Sequence, residues 1–294
     1  MSDPWWLHCL ACPECGSPLG VGDSVSSISC PKCSAEFFRQ FGKLAFCDVP
    51  KPVDPNRWPY SAGALRNEAV PMALWSEWRR LNYAWFEGEF AHLEDGARLL
   101  DLGSGPGWFK QLFERFNGVT MDVLPFDYVD FLADVSGRLP LTANCVDGVM
   151  LSNMLEHVYR PVELLHEIAR ILRPGCSVYG TVPFLVKVHQ APHDFFRYTP
   201  FALQRMLDEA GFTSHEVTPL GNIPELMATD LTVWARGIFT EGRRLMRPLA
   251  PWIARALRII IRTTEALSLG RHRQVRAQGF DQGYAFRATK GVER

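Results

Sequence analysis

The chain has 294 residues, of which 47% are hydrophobic, and 31 basic against 32 acidic residues give a formal net charge of -1. This length accommodates one large core and a small accessory unit, and the near-zero charge excludes a general attraction to nucleic acid or membrane. The first residues lack a basic segment followed by an apolar run, and no apolar stretch reaches the ~18 residues of a spanning helix. We therefore expect a cytoplasmic protein with reduced thiols.

Six of the eight cysteines lie in the first 47 residues, and four of them form two CxxC turns separated by 14 residues. Four thiolates on two tight turns can surround one tetrahedral Zn²⁺. The pattern predicts a structural zinc ribbon over residues 1–50 with the ligands Cys12, Cys15, Cys30 and Cys33. Cys9 leaves a second choice for the first ligand, and a redox role for one CxxC is the alternative.

The segment that follows the second CxxC turn, residues 33–46, alternates aromatic and polar side chains, which predicts a small hairpin. The proline-dense residues 51–59 predict a linker to a second domain over residues 51–294. Tryptophans and Phe86 occur at helical spacing between residues 69 and 92. This spacing predicts helices that either pack in the core, which we favour, or cover a cofactor.

Residues 97–107 join an apolar run of strand length to Asp101 and then to three alternating glycines, Gly103, Gly105 and Gly107. Glycines let the chain turn sharply and let its backbone approach a ligand closely. Trp108 stands where a dinucleotide fingerprint has its third glycine, and no Gly-Lys-Ser/Thr follows. The pattern therefore favours a nucleotide-type cofactor without phosphate.

Asp122 lies 21 residues after Asp101 and ends the apolar segment 118–122. An acid at the tip of the second strand of such a fold can accept hydrogen bonds from both ribose hydroxyls. The chain then alternates strands and helices, which implies a parallel sheet. We predict helices at 108–116, 161–172 and 200–210, and strands at 177–183, 212–220 and 283–289.

These segments resemble the class I S-adenosylmethionine-dependent methyltransferases, of the type 11 kind, over about 120 residues: 97–107, 133–141, 146–158 and the Leu-Arg-Pro-Gly turn at 172–175. The resemblance implies an α/β Rossmann-like, doubly wound sheet of seven mostly parallel strands, the last one reversed. It also implies S-adenosylmethionine bound by Asp101, Gly103, Ser104, Gly105, Gly107, Asp122, Asp134 and Asn153, with Asp134 as the adenine-binding acid. One departure is the short stretch after Asp122, where we expect a turn in place of the usual helix.

Two polar clusters, residues 153–157 and 189–200, are expected at the substrate side, beyond the fourth and fifth strands. Histidine can take the proton of a methyl acceptor, which makes His157, His189 and His193 candidate bases, each with a structural histidine as the alternative. Asp194 would orient His193 or a substrate hydroxyl, Arg197 would bind an acidic group, and Tyr198 would form a wall. The second cluster resembles a motif of bacterial methyltransferases that act in cell-surface sugar or lipid pathways.

About 60 residues, 222–280, separate the last two predicted strands, and ten arginines against two glutamates fall between Arg236 and Arg276. Apolar residues around Trp252 share one helical face. The insertion either packs on the protein or on a second copy, contacts an anionic membrane at its inner face, or contacts RNA.

Three functions follow from these patterns. The first is methylation, mainly of oxygen, on a small-molecule, glycan or lipid-linked acceptor, with His157, His193 and Asp194 as catalytic residues. The second is an RNA methyltransferase whose ribbon and insertion grip phosphates, and the third is a non-catalytic cofactor-binding partner of another methyltransferase. The ribbon itself resembles the family of small activator subunits of tRNA and protein methyltransferases.

Overall fold

A computed structural model describes residues 4–20, 26–48, 72, 75–221 and 281–292, together with six positions in the insertion (252, 255, 256, 259, 260 and 263). The predicted linker at 51–59 and most of the arginine-rich insertion therefore lie outside the described residues. Of the insertion, Trp252, Ile259 and Ile260 are exposed. Within the described residues, no helix combines the length and the apolar character that crossing a membrane requires.

One ten-stranded sheet organises the described chain, in the order β1-β2-β3-β6-β5-β4-β7-β8-β10-β9. Its strands are β1 Ser27–Ser29, β2 Glu36–Gln40, β3 Lys43–Ala45, β4 Arg98–Leu102, β5 Asn117–Asp122, β6 Phe131–Leu132, β7 Val146–Ser152, β8 Leu172–Pro183, β9 Phe212–Leu220 and β10 Gly283–Lys290. Strands β6, β5, β4, β7 and β8 run parallel, whereas β10 is antiparallel to both β8 and β9. The predicted α/β sheet, mostly parallel with a reversed last strand, is confirmed.

Three helices cover this sheet: α1 Glu77–Phe90, α2 Pro161–Ile171 and α3 Pro200–Glu209. The sequence sets their starts, because Ser76 and Thr199 cap α1 and α3 through their hydroxyls, and proline occupies the first turn of α2 and α3. The apolar faces of α2 and α3 pack into the main core. The predicted helices at 161–172 and 200–210 are therefore present, and Trp75 and Phe86 lie in a second apolar cluster.

The predicted helix at 108–116 is wrong: the structure has a 3-10 helix over Lys110–Phe113. The segment must bury four large side chains against α1 within a few residues, before β5 begins at Asn117. The turn predicted at 172–175 is also wrong, because β8 begins at Leu172. A register shift between Val146 and Gly148 absorbs the extra residues. After Asp122 the chain forms bends and turns without a helix, as expected.

The N-terminal segment joins the sheet directly. The predicted hairpin forms between β2 and β3, and β3 then pairs in parallel with β6. Trp6 stacks on Phe131 with ring centroids 5.3 Å apart, and Leu10 is fully buried in the main core. The cysteine-bearing segment and the sheet thus share one hydrophobic core.

The β8–β10 pairing places Phe286 opposite Gly180. A Cβ at Gly180 would overlap the Phe286 ring. We therefore expect Gly180→Ala to lower the free energy of unfolding by about 1–3 kcal/mol, as overpacking does in a dense core. Gly137→Ala is the matched control, because Gly137 has open space at its Cβ position, and its effect should stay within about 0.5 kcal/mol. Equal urea midpoints for both variants would contradict this packing.

Candidate active site

A cavity of about 660 Å³ opens at the carboxyl ends of the parallel strands, where ligands bind in open α/β sheets. One side is formed by the glycine turn after β4 and by the ends of β5 and β6. The other side is formed by the segments after β7 and β8. All predicted cofactor residues line it except Gly107: Asp101, Gly103, Ser104, Gly105, Asp122, Asp134 and Asn153.

Asp122 braces the glycine turn. Its carboxylate accepts hydrogen bonds from the backbone amides of Gly105, at 2.8 Å, and Leu124, at 2.9 Å. Gly103 and Gly105 have φ of 75° and 53°, and a Cβ at Gly103 would strike Met154. The turn therefore requires glycine at these positions, and the carboxylate fixes its shape.

Gly107 has a different role from the one that the sequence suggested. Its φ is 77°, and a Cβ there would meet the ring of Tyr128. It allows close packing behind the turn and does not line the cavity.

Two carboxyl groups, Asp101 and Asp122, line the same part of the cavity. Asp101 is 2% exposed, and burial together with the neighbouring charge of Asp122 raises its pKa well above the usual range. Burial also raises the pKa of Asp122, although the amides of Leu124 and Gly105 oppose the shift. The Ser104 hydroxyl is buried without a hydrogen-bond partner among the described residues. Two carboxylates and an unpaired hydroxyl suit a polar ligand that carries positive charge.

Asn153 ties α1 to the end of β7. Its side-chain oxygen accepts a hydrogen bond from the Trp78 indole at 2.9 Å, and its amide donates to Asn82 at 2.9 Å. Trp78 and Arg79 of α1 line the cavity, and the Arg79 guanidinium lies 3.7 Å from the centre of the Trp108 ring. The sequence did not indicate that Arg79 lines the cavity, because the spacing of aromatic residues was the signal that predicted this helix.

The loop after β8 is organised by an ion pair. The Arg197 guanidinium contacts both Asp194 oxygens at 2.6 and 2.8 Å, and it also donates to the carbonyls of Val186 and Lys187. Arg197 holds the pKa of Asp194 down to about 2. The stabilisation from this pair is present at neutral pH and is lost only as the pH falls toward that value. Arg197 and Asp194 thus shape the loop, and Asp194 does not line the cavity.

The three histidines that the sequence predicts as candidate bases all line the cavity: His157, His189 and His193. The Nδ1 of His157 lies 2.6 Å from the His193 carbonyl oxygen, and the His157 and His189 ring centroids are 4.9 Å apart. Burial lowers the pKa of His157. Tyr198, the predicted wall, is buried and donates its hydroxyl to the carbonyl of Leu155.

Glu156 was missed by sequence reasoning, although a carboxylate inside an apolar stretch was a usable signal. Its side chain is fully buried, and neither carboxylate oxygen has a hydrogen-bond partner in the described part of the chain. Burial raises its pKa to about 8. One of its oxygens lies 3.6 Å from Nε2 of His157 and 3.9 Å from Nε2 of His189.

The four predicted zinc ligands also converge. The sulfurs of Cys12 and Cys33 lie 3.6 Å apart, those of Cys15 and Cys30 lie 3.5 Å apart, and all four sulfurs are within 4.8 Å of one another. A tetrahedral site with Zn–S bonds of about 2.3 Å needs sulfurs about 3.8 Å apart. The cluster therefore fits one zinc ion, and the structure selects Cys12 rather than Cys9, because Cys9 is not among the four cysteines whose sulfurs converge.

Comparison with known proteins shows what the central part of the chain is similar to. Residues 74–217 match a family model described as a methyltransferase domain. An uncharacterised methyltransferase of Mycobacterium avium is 37% identical over 93 residues, which is 27% of this chain and 37% of the relative. A chloroplastic methyltransferase of Arabidopsis thaliana, also uncharacterised, is 24% identical over 69% of this chain and 68% of its own length.

The chain spans between about a third and a half of the length of the mycobacterial relatives that it matches. Among solved structures, that of a [4+2]-cyclase, SpnF, aligns with a TM-score of 0.46 and 22% identity, covering 73% of this chain and 81% of its own. The part of the chain that matches a methyltransferase domain, residues 74–217, contains strands β4 to β8 of the sheet and most of β9.

The geometry of Asp122 generates a binding prediction. We expect Asp122→Ala to weaken S-adenosylmethionine binding about 10- to 100-fold, because the variant removes the carboxylate that fixes the glycine turn and that would accept charge-assisted hydrogen bonds from ribose hydroxyls. Asp127→Ala, which removes an exposed carboxylate from the same loop, should leave the calorimetric affinity unchanged. An unaltered affinity for Asp122→Ala in a folded variant would reject the ribose role.

Proposed function

We propose that the chain transfers a methyl group from S-adenosylmethionine to an oxygen of a small-molecule, glycan or lipid-linked acceptor. The observation that carries this proposal is a single cavity with buried carboxylates at one end and three histidines at the other. Bound S-adenosylmethionine supplies an electrophilic methyl group on a positively charged sulfur. Class I methyltransferases use this edge of the sheet for their cofactor, and the glycine turn, Asp122 and Asp134 line it here.

The protein's own residues would act by binding, orienting and taking a proton. Asp101 and Asp122 would balance the charge of the cofactor, and Asp134 would contact its adenine. His157 and His193 face the acceptor half of the cavity, where an imidazole can take the hydroxyl proton as oxygen is methylated. Asp194 is then a positioning residue that holds this loop through Arg197.

The N-terminal cysteine cluster completes the proposal. Cys12, Cys15, Cys30 and Cys33 would hold a structural Zn²⁺, in a ribbon like those of methyltransferase activator subunits. The ribbon shares its core with the sheet and pairs with β6. The metal would therefore stabilise the edge of the sheet that also bears the Asp134 side of the cavity.

The experiment uses S-adenosylmethionine with a tritiated methyl group and three separate acceptor pools: small hydroxyl compounds and sugars, lipid-linked sugars, and total RNA. We expect label in one of the first two pools, with matching formation of S-adenosylhomocysteine. The Asp122→Ala variant should reduce the rate about tenfold or more at subsaturating cofactor.

Two results would overturn the proposal. Label in the RNA pool alone would favour an RNA methyltransferase. Tight S-adenosylmethionine binding without labelled product in any pool would favour a non-catalytic partner of another methyltransferase.

A further inference from the structure

Three acceptor atoms converge at the histidine end of the cavity: a carboxylate oxygen of Glu156 and the Nε2 atoms of His157 and His189. All three lie within 4.8 Å of one another. The carboxylate is fully buried, and neither its oxygens nor the His157 Nε2 has a hydrogen-bond partner among the residues described. Buried polar atoms without partners are rare in native proteins, so each calls for an explanation.

The proton positions on the two rings follow from their other nitrogens. A carbonyl oxygen only accepts hydrogen bonds, so Nδ1 of His157, 2.6 Å from the His193 carbonyl, carries the proton. Nε2 of His157 then presents a lone pair.

The Nδ1 atom of His189 also faces hydrogen-bond acceptors. The closest neighbour of His189 Nδ1 is the Lys187 carbonyl at 3.2 Å, and an Asp194 oxygen lies at 3.4 Å. Both are acceptors. An Arg197 nitrogen, also at 3.4 Å, already donates to those same two acceptors. His189 therefore also presents an Nε2 lone pair toward the Glu156 carboxylate.

The distances favour a shared cation over a shared proton. Nε2 of His157 lies 3.6 Å and Nε2 of His189 3.9 Å from the same Glu156 oxygen, beyond ordinary hydrogen-bond length. Ligands bound at about 2.0–2.2 Å around a tetrahedral ion are about 3.3–3.6 Å apart, so the two distances from the Glu156 oxygen need to close by about half an ångström at most.

We propose that Glu156, His157 and His189 bind a divalent transition-metal ion of the zinc type at the acceptor end of the cavity. Two imidazoles and one carboxylate are the ligand set of many catalytic zinc sites, and they leave a coordination position open. The His193 carbonyl and the Lys187 and Asp194 oxygens are the outer partners that fix ligating histidines. The position left open faces the cavity, because His157 and His189 line it.

This site deepens the proposed function and, in its catalytic part, rests on it. His157 would hold the ion through Nε2 and give its Nδ1 proton to the His193 carbonyl, so His193 is then the histidine left to act as a base. A metal ion at this end would bind the acceptor oxygen directly and ease loss of its proton. The metal ion itself is tested without reference to catalysis.

The experiment measures the zinc content of the full chain after exposure to Zn²⁺ and removal of free metal. We expect two equivalents in the natural protein, one from the four cysteines and one from this site. Glu156→Gln and His189→Gln should each lower the content to about one equivalent, whereas His166→Gln, at an exposed histidine outside the cavity, should keep two.

A Co²⁺-loaded sample separates the two sites, because only the cysteine site gives thiolate-to-metal absorption. Cys12→Ser should lose that absorption, and Glu156→Gln should retain it. His189→Gln, at a partly exposed position, keeps the test valid if Glu156→Gln fails to fold. One equivalent of zinc in the natural protein, with thiolate absorption in the Co²⁺-loaded sample, would overturn the site, and so would two equivalents in folded His189→Gln.

The two proposals fail separately. Methyl transfer by a protein that holds zinc only at the cysteines would contradict the metal site and support the proposed function. Two equivalents of zinc without methyl transfer would support the metal site and contradict the proposed function.

Discussion

The candidate site depends on two carboxylates that are held largely out of water at the ends of adjacent parallel strands. Asp101 ends the apolar core of β4, and Asp122 ends β5 and accepts the amides that shape the glycine turn. Burial and the neighbouring charge of Asp122 raise the pKa of Asp101, so this group is costly to ionise without a cation beside it. A cationic ligand removes much of that cost. The same charge arrangement therefore opposes stability and favours binding.

The rest of the fold holds in place the side of the sheet where the parallel strands end and the cavity opens. The parallel strands bring their carboxyl ends to one side of the sheet, α1 is pinned over the opening by Asn153, and the loop after β8 is fixed by Asp194 and Arg197. The N-terminal ribbon extends the sheet beyond β6 and shares its core. A zinc ion in the ribbon would thus support the edge on which the cofactor rests.

The sequence was most informative where backbone geometry restricts the choice of residue. Gly103 and Gly105 are required by positive φ, proline marks the starts of α2 and α3, and alternating apolar runs mark β9 and β10. The CxxC spacing likewise predicted which sulfurs converge. These signals are local, so one chain suffices to detect them.

Contacts between distant segments could not be predicted. No local pattern shows that Arg197 is neutralised by Asp194, that Asn153 holds Trp78 and Asn82, or that Gly107 packs on Tyr128. The segment 108–116 was misjudged because its helical spacing is set by burial against α1, which lies far away in sequence. Glu156 was overlooked although it lies inside an apolar stretch next to His157, because its other histidine neighbour, His189, comes from the loop after β8.

The most direct test of the central claim is the pH dependence of S-adenosylmethionine binding, measured by calorimetry in buffers of different ionisation enthalpy. If the raised pKa of Asp101 falls when the positively charged cofactor binds, protons are released and affinity increases with pH over the range in which the protein stays folded. S-adenosylhomocysteine, which lacks the positive sulfur, should show a weaker dependence. An affinity that is flat over this range, with heats independent of the buffer for both ligands, would contradict the account.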